Sequence, residues 1–220
     1  MLSLIRYHLR SLAFRAPLLR RMLPANDNDS AEYWDKILAT SHKTYLGGPI
    51  SLEMRAAITA VLLKRYAPTG SPSIIDVGCA GCELAKAVSF DRYLAMDISP
   101  YAIEKCKQDP AFKEKPISFL ASNLCDFTTD ERWDAVVFNE VLYYLDVDQA
   151  VSEVYRYWSM LKQDGVVIVA MKHDGKSQAI FRSLKLKWLD GIVWQARSKP
   201  DYRIRIDRER PGYLMAVLRS

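Results

Sequence analysis

From residue 73 onward, short apolar runs alternate with stretches of helical period. Residues 73–77, 93–97, 117–121, 133–139 and 165–171 are near-continuous apolar runs of strand length. That is the pattern of strands buried on both faces of a parallel sheet. Between them, 83–88, 100–108, 149–161 and 177–188 read as helices. Pro100 opens the second of these, at a position where its missing N–H removes no helical bond. The third carries Val151, Val154, Tyr155 and Trp158 on one face. Two late strands, at 192–196 and 213–218, lack a clear helix between them and predict an antiparallel hairpin at the sheet edge.

Upstream the period is helical only. Asp29 followed by Glu32 has the spacing of a capping box, opening a helix with Tyr33, Trp34 and Ile37. After the Gly47-Gly48-Pro49 turn, Ser51 is the expected cap of a further helix. Its expected apolar face is Met54, Ala57, Ile58, Val61 and Leu62. Alternating strands and helices predict an α/β fold: a doubly wound, mostly parallel seven-stranded sheet with an antiparallel edge hairpin and added N-terminal helices. No internal repeat is visible. A length of 220 residues, half of them hydrophobic, suits one domain with a substantial core.

Charge divides the chain at its beginning. Arg6, Arg10, Arg15, Arg20 and Arg21 fall within residues 1–25 with no acid, and the remaining 26 basic residues match the 26 acidic ones. A general nucleic-acid-binding face is therefore not expected. Leu2, Ile5, Leu9 and Leu12 repeat at helical spacing among those arginines. Residues 1–29 thus read as a basic amphipathic helix and linker, and 30–220 as the main folded domain. Three roles stay open for the helix: packing on its own domain or a partner subunit, peripheral contact of residues 1–23 with an anionic membrane surface, or targeting. No run reaches the roughly 18 apolar residues that span a bilayer. Cys79, Cys82, Cys106 and Cys125 are not spaced as a disulfide framework and no secretory signal is read. A cytoplasmic, or membrane-surface-associated, location is expected.

The chemistry gathers after the first strand, in Asp76-Val77-Gly78-Cys79-Ala80-Gly81-Cys82-Glu83-Leu84. Small residues let the backbone turn sharply and approach a ligand, at the place where open α/β sheets form their crevice. The loop lacks the G-x-G-x-x-G spacing that seats a pyrophosphate, and an acid stands two residues before its first glycine. A cationic or hydrogen-bond-donating ligand suits it better. Cys79 and Cys82 also form a C-x-x-C, where small filler residues compete with a redox motif. No cluster has metal-ligand spacing.

This loop resembles that of the class I S-adenosylmethionine-dependent methyltransferases. Three further marks follow in order: Asp97 at the end of Leu94-Ala95-Met96-Asp97-Ile98-Ser99, then Ala121-Ser122-Asn123-Leu124, then the run from Trp133 through Asn139-Glu140-Val141-Leu142-Tyr143-Tyr144-Leu145. The resemblance spans residues 30 to 220 and implies a Rossmann-like methyltransferase fold. It implies S-adenosyl-L-methionine as cofactor, with Asp76, Gly78, Cys79, Ala80 and Gly81 beside its methionine part. Asp97, with Ile98, would take the ribose hydroxyls, and Asn123 and Leu124 the adenine. Asn139 and Glu140 would face the methionine end and the acceptor. The family usually has Asp where Asn123 stands, whose amide oxygen accepts the same bond. It usually has Gly where Cys82 stands, and a side chain there is expected to weaken binding.

The cofactor carries the reactive group, so the protein's part is alignment. An amine acceptor needs only to be neutral, whereas a hydroxyl needs a base. Glu140 and His173 are the candidate bases, and Tyr143 lines the pocket. Tyr33, Trp34 and Tyr45 are candidate lid residues, with core packing the alternative for Trp34. The run from Asn139 is similar to that of small-molecule and sugar-modifying methyltransferases, including nodulation-type N-methyltransferases. The expected acceptor is a small molecule, sugar or glycan. Two alternatives stand: a nicotinamide-dependent oxidoreductase on a similar sheet, and a non-catalytic partner protein, for which Cys82 is the main support.

Overall fold

A computed structural model describes residues 30–45, 49–172, 174–184 and 213–219. Among these residues, six strands form one sheet: β1 (Ser73–Val77), β2 (Arg92–Asp97), β3 (Ile117–Ala121), β4 (Trp133–Asn139), β5 (Leu161–Lys172) and β6 (Tyr213–Arg219). Their order is β3-β2-β1-β4-β5-β6. The first five run parallel, and β6 runs antiparallel beside β5. The helices are α1 (Ala31–Tyr45), α2 (Pro49–Tyr66), α3 (Glu83–Ala87), α4 (Pro100–Gln108), α5 (Val147–Trp158) and α6 (Gly175–Ser183). The expected strand at 192–196 lies outside the described residues, and with it the seven-strand count and the last strand's expected hairpin partner. So do residues 1–29, His173 and the end of the 177–188 helix.

The apolar runs become central strands because both sheet faces are covered. Along one strand, successive side chains enter opposite layers. Ile75, Val136, Val167 and Val169 join a core with Phe138, Tyr157, Ile180 and Phe181 under α5 and α6. Ile74, Val137, Ile168 and Ala170 join the other, with Leu63, Leu84, Ile103 and Tyr93 under α2, α3 and α4. Each fully buried aliphatic or aromatic side chain contributes about 1.5–3 kcal/mol. No described helix is long and apolar enough to cross a membrane.

Two expected helix faces are corrected. In α2 the buried positions are Arg55, Ala56, Thr59, Leu62 and Leu63, while Met54 and Val61 are 55% and 64% exposed. Apolar residues occur all round this helix, so periodicity alone could not choose the face. Its packing against α3 and β5 decides. In α5, Val154 and Tyr157 are buried but Tyr155 is 40% exposed, its ring turned from the sheet. The caps also differ. The Tyr33 N–H donates to the Ser30 hydroxyl at 3.2 Å, so the cap seen at the start of α1 is Ser30. α2 begins at Pro49, two residues before the expected cap Ser51.

Candidate active site

The strand order reverses between β1 and β4, so the connections from their C-terminal ends leave in opposite directions and open a crevice. The chain leaving β1 turns in a tight crook. Gly78, Ala80 and Cys82 take φ of 79°, 45° and 58°, a region that glycine enters freely and other residues enter at a cost. The Gly78 and Cys79 N–H groups both donate to Met96 O, at 2.8 and 3.0 Å. A Cβ on Gly78 would collide with Val141 Cγ1, because the crook and the loop after β4 touch there.

Asp97, at the tip of β2, ties the crook down. Its Oδ2 accepts the Ala80 N–H at 2.9 Å, and its Oδ1 accepts the Ser99 N–H at 2.9 Å. Each oxygen keeps a lone pair for a ligand. Burial raises the Asp97 carboxyl above its ordinary range, with the two N–H donors pulling back. Asp76 is wholly buried, and desolvation pushes it up to about 7 even though Tyr93 donates to it. That hydroxyl reaches Asp76 Oδ2 at 2.7 Å.

Beneath the crook Cys79, Cys82 and Cys106 lie in one buried cluster, and Cys106 Sγ donates to Ala80 O at 3.2 Å. Cys82 is fully buried among Leu84, Ala85 and Ile103. Its side chain therefore packs in the core under the loop.

The second half of the site follows β4. Glu140 has φ 62°, a left-handed conformation that costs a non-glycine residue about 1–3 kcal/mol and persists where surroundings impose it. Its N–H is held by Ala170 O at 2.8 Å. Tyr143 donates to Glu140 Oε2 at 2.9 Å, and Tyr144 donates to the Tyr143 hydroxyl at 3.4 Å. Arg55 Nη1 lies 3.6 Å from the same Oε2. Burial pushes the Glu140 carboxyl up, and the Arg55 charge and the Tyr143 hydroxyl oppose that shift.

Three buried oxygens on the strands flanking the crevice accept no hydrogen bond: Asp76 Oδ1, Asn139 Oδ1 and Glu140 Oε1. The Asn139 amide oxygen is always an acceptor, and the Asp76 and Glu140 oxygens are acceptors when their carboxylates are ionised, so this part of the crevice is set for donors and cations.

α1 runs across the same end of the sheet. Asp35 Oδ1 accepts the Ser99 hydroxyl and, at 3.1 Å, the Tyr101 N–H, capping the start of α4. Trp34 is buried and meets the Tyr144 ring edge-on, centroids 5.1 Å apart. One helix thus touches the tips of both β2 and β4.

The expected site residues fall into three groups. Asp76, Gly78, Cys79, Ala80, Gly81 and Asp97 come together at the crook, and Asn139, Glu140 and Tyr143 beyond β4. Asn123 and Leu124 follow β3, where the Asn123 side-chain oxygen accepts the Cys125 N–H at 2.9 Å in its own turn. His173 and the Tyr45 side chain lie outside the described residues. Arg55 and Asp35 were not anticipated. Arg55 had a faint signal, a charge and a threonine four residues apart on a helix otherwise rich in Ala, Ile and Leu. Asp35 had none, since its partners lie 64 and 66 residues away.

A family model described as "Methyltransferase domain" matches residues 75–169. Nodulation protein S of Bradyrhizobium diazoefficiens is 31% identical over 105 residues, 46% of this chain and 50% of that protein. A putative methyltransferase of a Geobacillus species is 27% identical over 124 residues, 54% of this chain and 50% of that protein. The chain spans about half the length of these two curated relatives. Among solved structures, the N-methyltransferase NodS from Bradyrhizobium japonicum in complex with S-adenosyl-L-homocysteine superposes with a TM-score of 0.65. Its identity is 21%, and the match covers 87% of this chain and 98% of that one.

Proposed function

We propose, from the premise that this chain belongs to the class I S-adenosylmethionine-dependent methyltransferases, that it transfers a methyl group from S-adenosyl-L-methionine to a nitrogen or oxygen of a small-molecule, sugar or glycan acceptor. One observation carries this reading. A backbone crook pinned by Asp97 stands beside three buried oxygens that accept nothing. Such a crevice suits a ligand that is cationic and rich in N–H donors, and it disfavours a diphosphate, which would bring its own negative charge. The dinucleotide reading weakens for that reason.

When bound, the cofactor supplies an electrophilic carbon on a sulfonium, which needs no metal and no covalent enzyme intermediate. The protein's residues orient and exclude. Gly78 and Ala80 bring the backbone close, Asp97 takes the sugar hydroxyls, and Asn139 and Asp76 accept donors at the methionine end. α1, with Trp34 on Tyr144, covers the opening against water. Glu140 takes the acceptor's proton where the acceptor is a hydroxyl or a protonated amine. The likeness of the loop after β4 to that of nodulation-type proteins supports an amine or sugar acceptor. The Cys82 side chain, buried under the crook, leaves the crevice open and so favours an active enzyme over a non-catalytic partner.

Titration calorimetry with S-adenosyl-L-methionine and S-adenosyl-L-homocysteine tests the reading. Both should bind, and NADH should not. Asp97→Ala should lower the affinity at least tenfold, about 1.4 kcal/mol. Absent binding of both sulfur nucleosides, or unchanged affinity in the variant, would overturn the assignment.

A further inference from the structure

A buried arginine on α2, outside the strands that carry the crevice, touches the carboxylate expected to take the acceptor's proton. Arg55 is 5% exposed. It reaches Glu140 Oε2 at 3.6 Å from a helix 85 residues earlier in the chain. We propose that Arg55 is a positioning residue: it holds Glu140 ionised with Oε2 occupied, so that Oε1 is the atom offered to the acceptor's N–H or O–H. The inference rests on the methyltransferase reading for the acceptor, and not for the pair itself.

The groups facing Glu140 leave that task to Arg55. Tyr143, in the turn after β4, donates to Oε2 at 2.9 Å but carries no charge. Tyr144 donates to the Tyr143 hydroxyl, and it too carries no charge. Lys172, at the end of β5, has its ammonium 3.2 Å from Asp174 and 4.4 Å from the Tyr143 ring centre. Its charge also favours the ionised Glu140, less than that of Arg55, and Asp174 beside it opposes that pull. Arg55 is the cation within ion-pair range of the carboxylate among the described residues.

One hydrogen-bond donor, Tyr143, and one cation, Arg55, converge on Oε2, while Oε1 is buried and accepts nothing. A buried carboxylate oxygen left bare is costly, and a ligand donor removes that cost. The left-handed backbone at Glu140 fixes where the carboxylate starts from. In the transfer, the acceptor's lone pair forms the new bond to carbon, the electrons of the broken carbon–sulfur bond stay on sulfur, and the acceptor's proton passes to Oε1. A neutral Glu140 could not receive it. Arg55 therefore acts on the reaction through Glu140.

The test reads the Glu140 carboxyl directly, by carbon NMR titration of the ligand-free full chain, with Glu140→Gln supplying the assignment. In Arg55→Met the Glu140 midpoint should rise by at least one pH unit, a tenfold loss of acidity, and Arg55→Lys should restore most of it. An unchanged midpoint in Arg55→Met, or no recovery in Arg55→Lys, would overturn the proposal. Should Arg55→Met not fold, the unmodified chain still decides. The Arg55 guanidinium nitrogen signals should move with the same midpoint as Glu140, and signals flat across that titration refute the pair. Calorimetry with S-adenosyl-L-homocysteine runs separately. Its failure would remove the methyltransferase reading and leave the Glu140 midpoint as measured.

Discussion

Asp76 precedes the crook and Asp97 pins it, and burial raises both carboxyls above their ordinary range. Asp76 is fully buried, and desolvation raises it from 3.8 to about 7. Its folded-state pKa exceeds its unfolded one, so between those values the native chain binds more protons than the unfolded chain. Stability from this group therefore falls as pH rises from about 4 to about 7 and is level above that. The shift corresponds to about 4 kcal/mol as an upper figure. Urea unfolding at pH 5 and pH 8 should show that slope, and Asp76→Asn should flatten it. An equal slope in the variant would mean that another group carries the dependence. The same residue predicts that cofactor affinity rises with pH through neutrality, because a cation is best received by the ionised form.

α1 and α4 show how a helix gains a position that its own period does not specify. α4 starts where Ser99 accepts the Ala102 N–H at 3.1 Å, just before the Pro100 that marks the helix start in the sequence. Asp35 then fastens α1 onto that same cap through Ser99 and Tyr101. Asp35→Ala removes two hydrogen bonds at a half-buried site and should cost about 1–2 kcal/mol. Native-state hydrogen exchange should locate the loss in α1 and the first turn of α4, and spare β1 and β4. Uniform acceleration across the sheet would show that α1 is not a separate fastening. α2 teaches the opposite lesson. With Met54, Val61, Ile58 and Leu62 spread round it, the segment could be read as a helix but not oriented. The charged residue that matters, Arg55, was hidden by choosing the wrong face.

Across the whole molecule, the seam between β1 and β4 joins the two halves of the sheet and forms the site. Ile74 to Val77 pair with Ala135 to Phe138 in register, and the loops beyond them meet where Gly78 faces Val141. Gly78→Ala adds a Cβ that collides with that valine, at a φ of 79°, and should cost at least about 2 kcal/mol. Denaturant unfolding measures the loss. Combining it with Val141→Ala should recover the part due to collision and leave the part due to backbone strain. A double variant no better than the single would assign the whole cost to the backbone.

The central strands were legible because burial on both faces demands unbroken apolar runs, and 73–77 and 133–139 were bounded as observed, as was the partly exposed edge strand 117–121. The crook was legible because only small residues tolerate its turns, and Asp97 was singled out by its distance of about 20 residues from the first glycine of such a loop, where the structure shows it accepting the Ala80 N–H. These are local constraints, written in residues close together in the chain. What only the tertiary structure decided involves partners far apart: Arg55 on Glu140, Asp35 on Ser99, the buried face of α2, and the oxygen of Glu140 left bare. Hydrophobic period reports which residues avoid water. It carries no record of which buried charge another helix will answer, because that pairing exists only once the sheet has brought distant segments within a few ångströms.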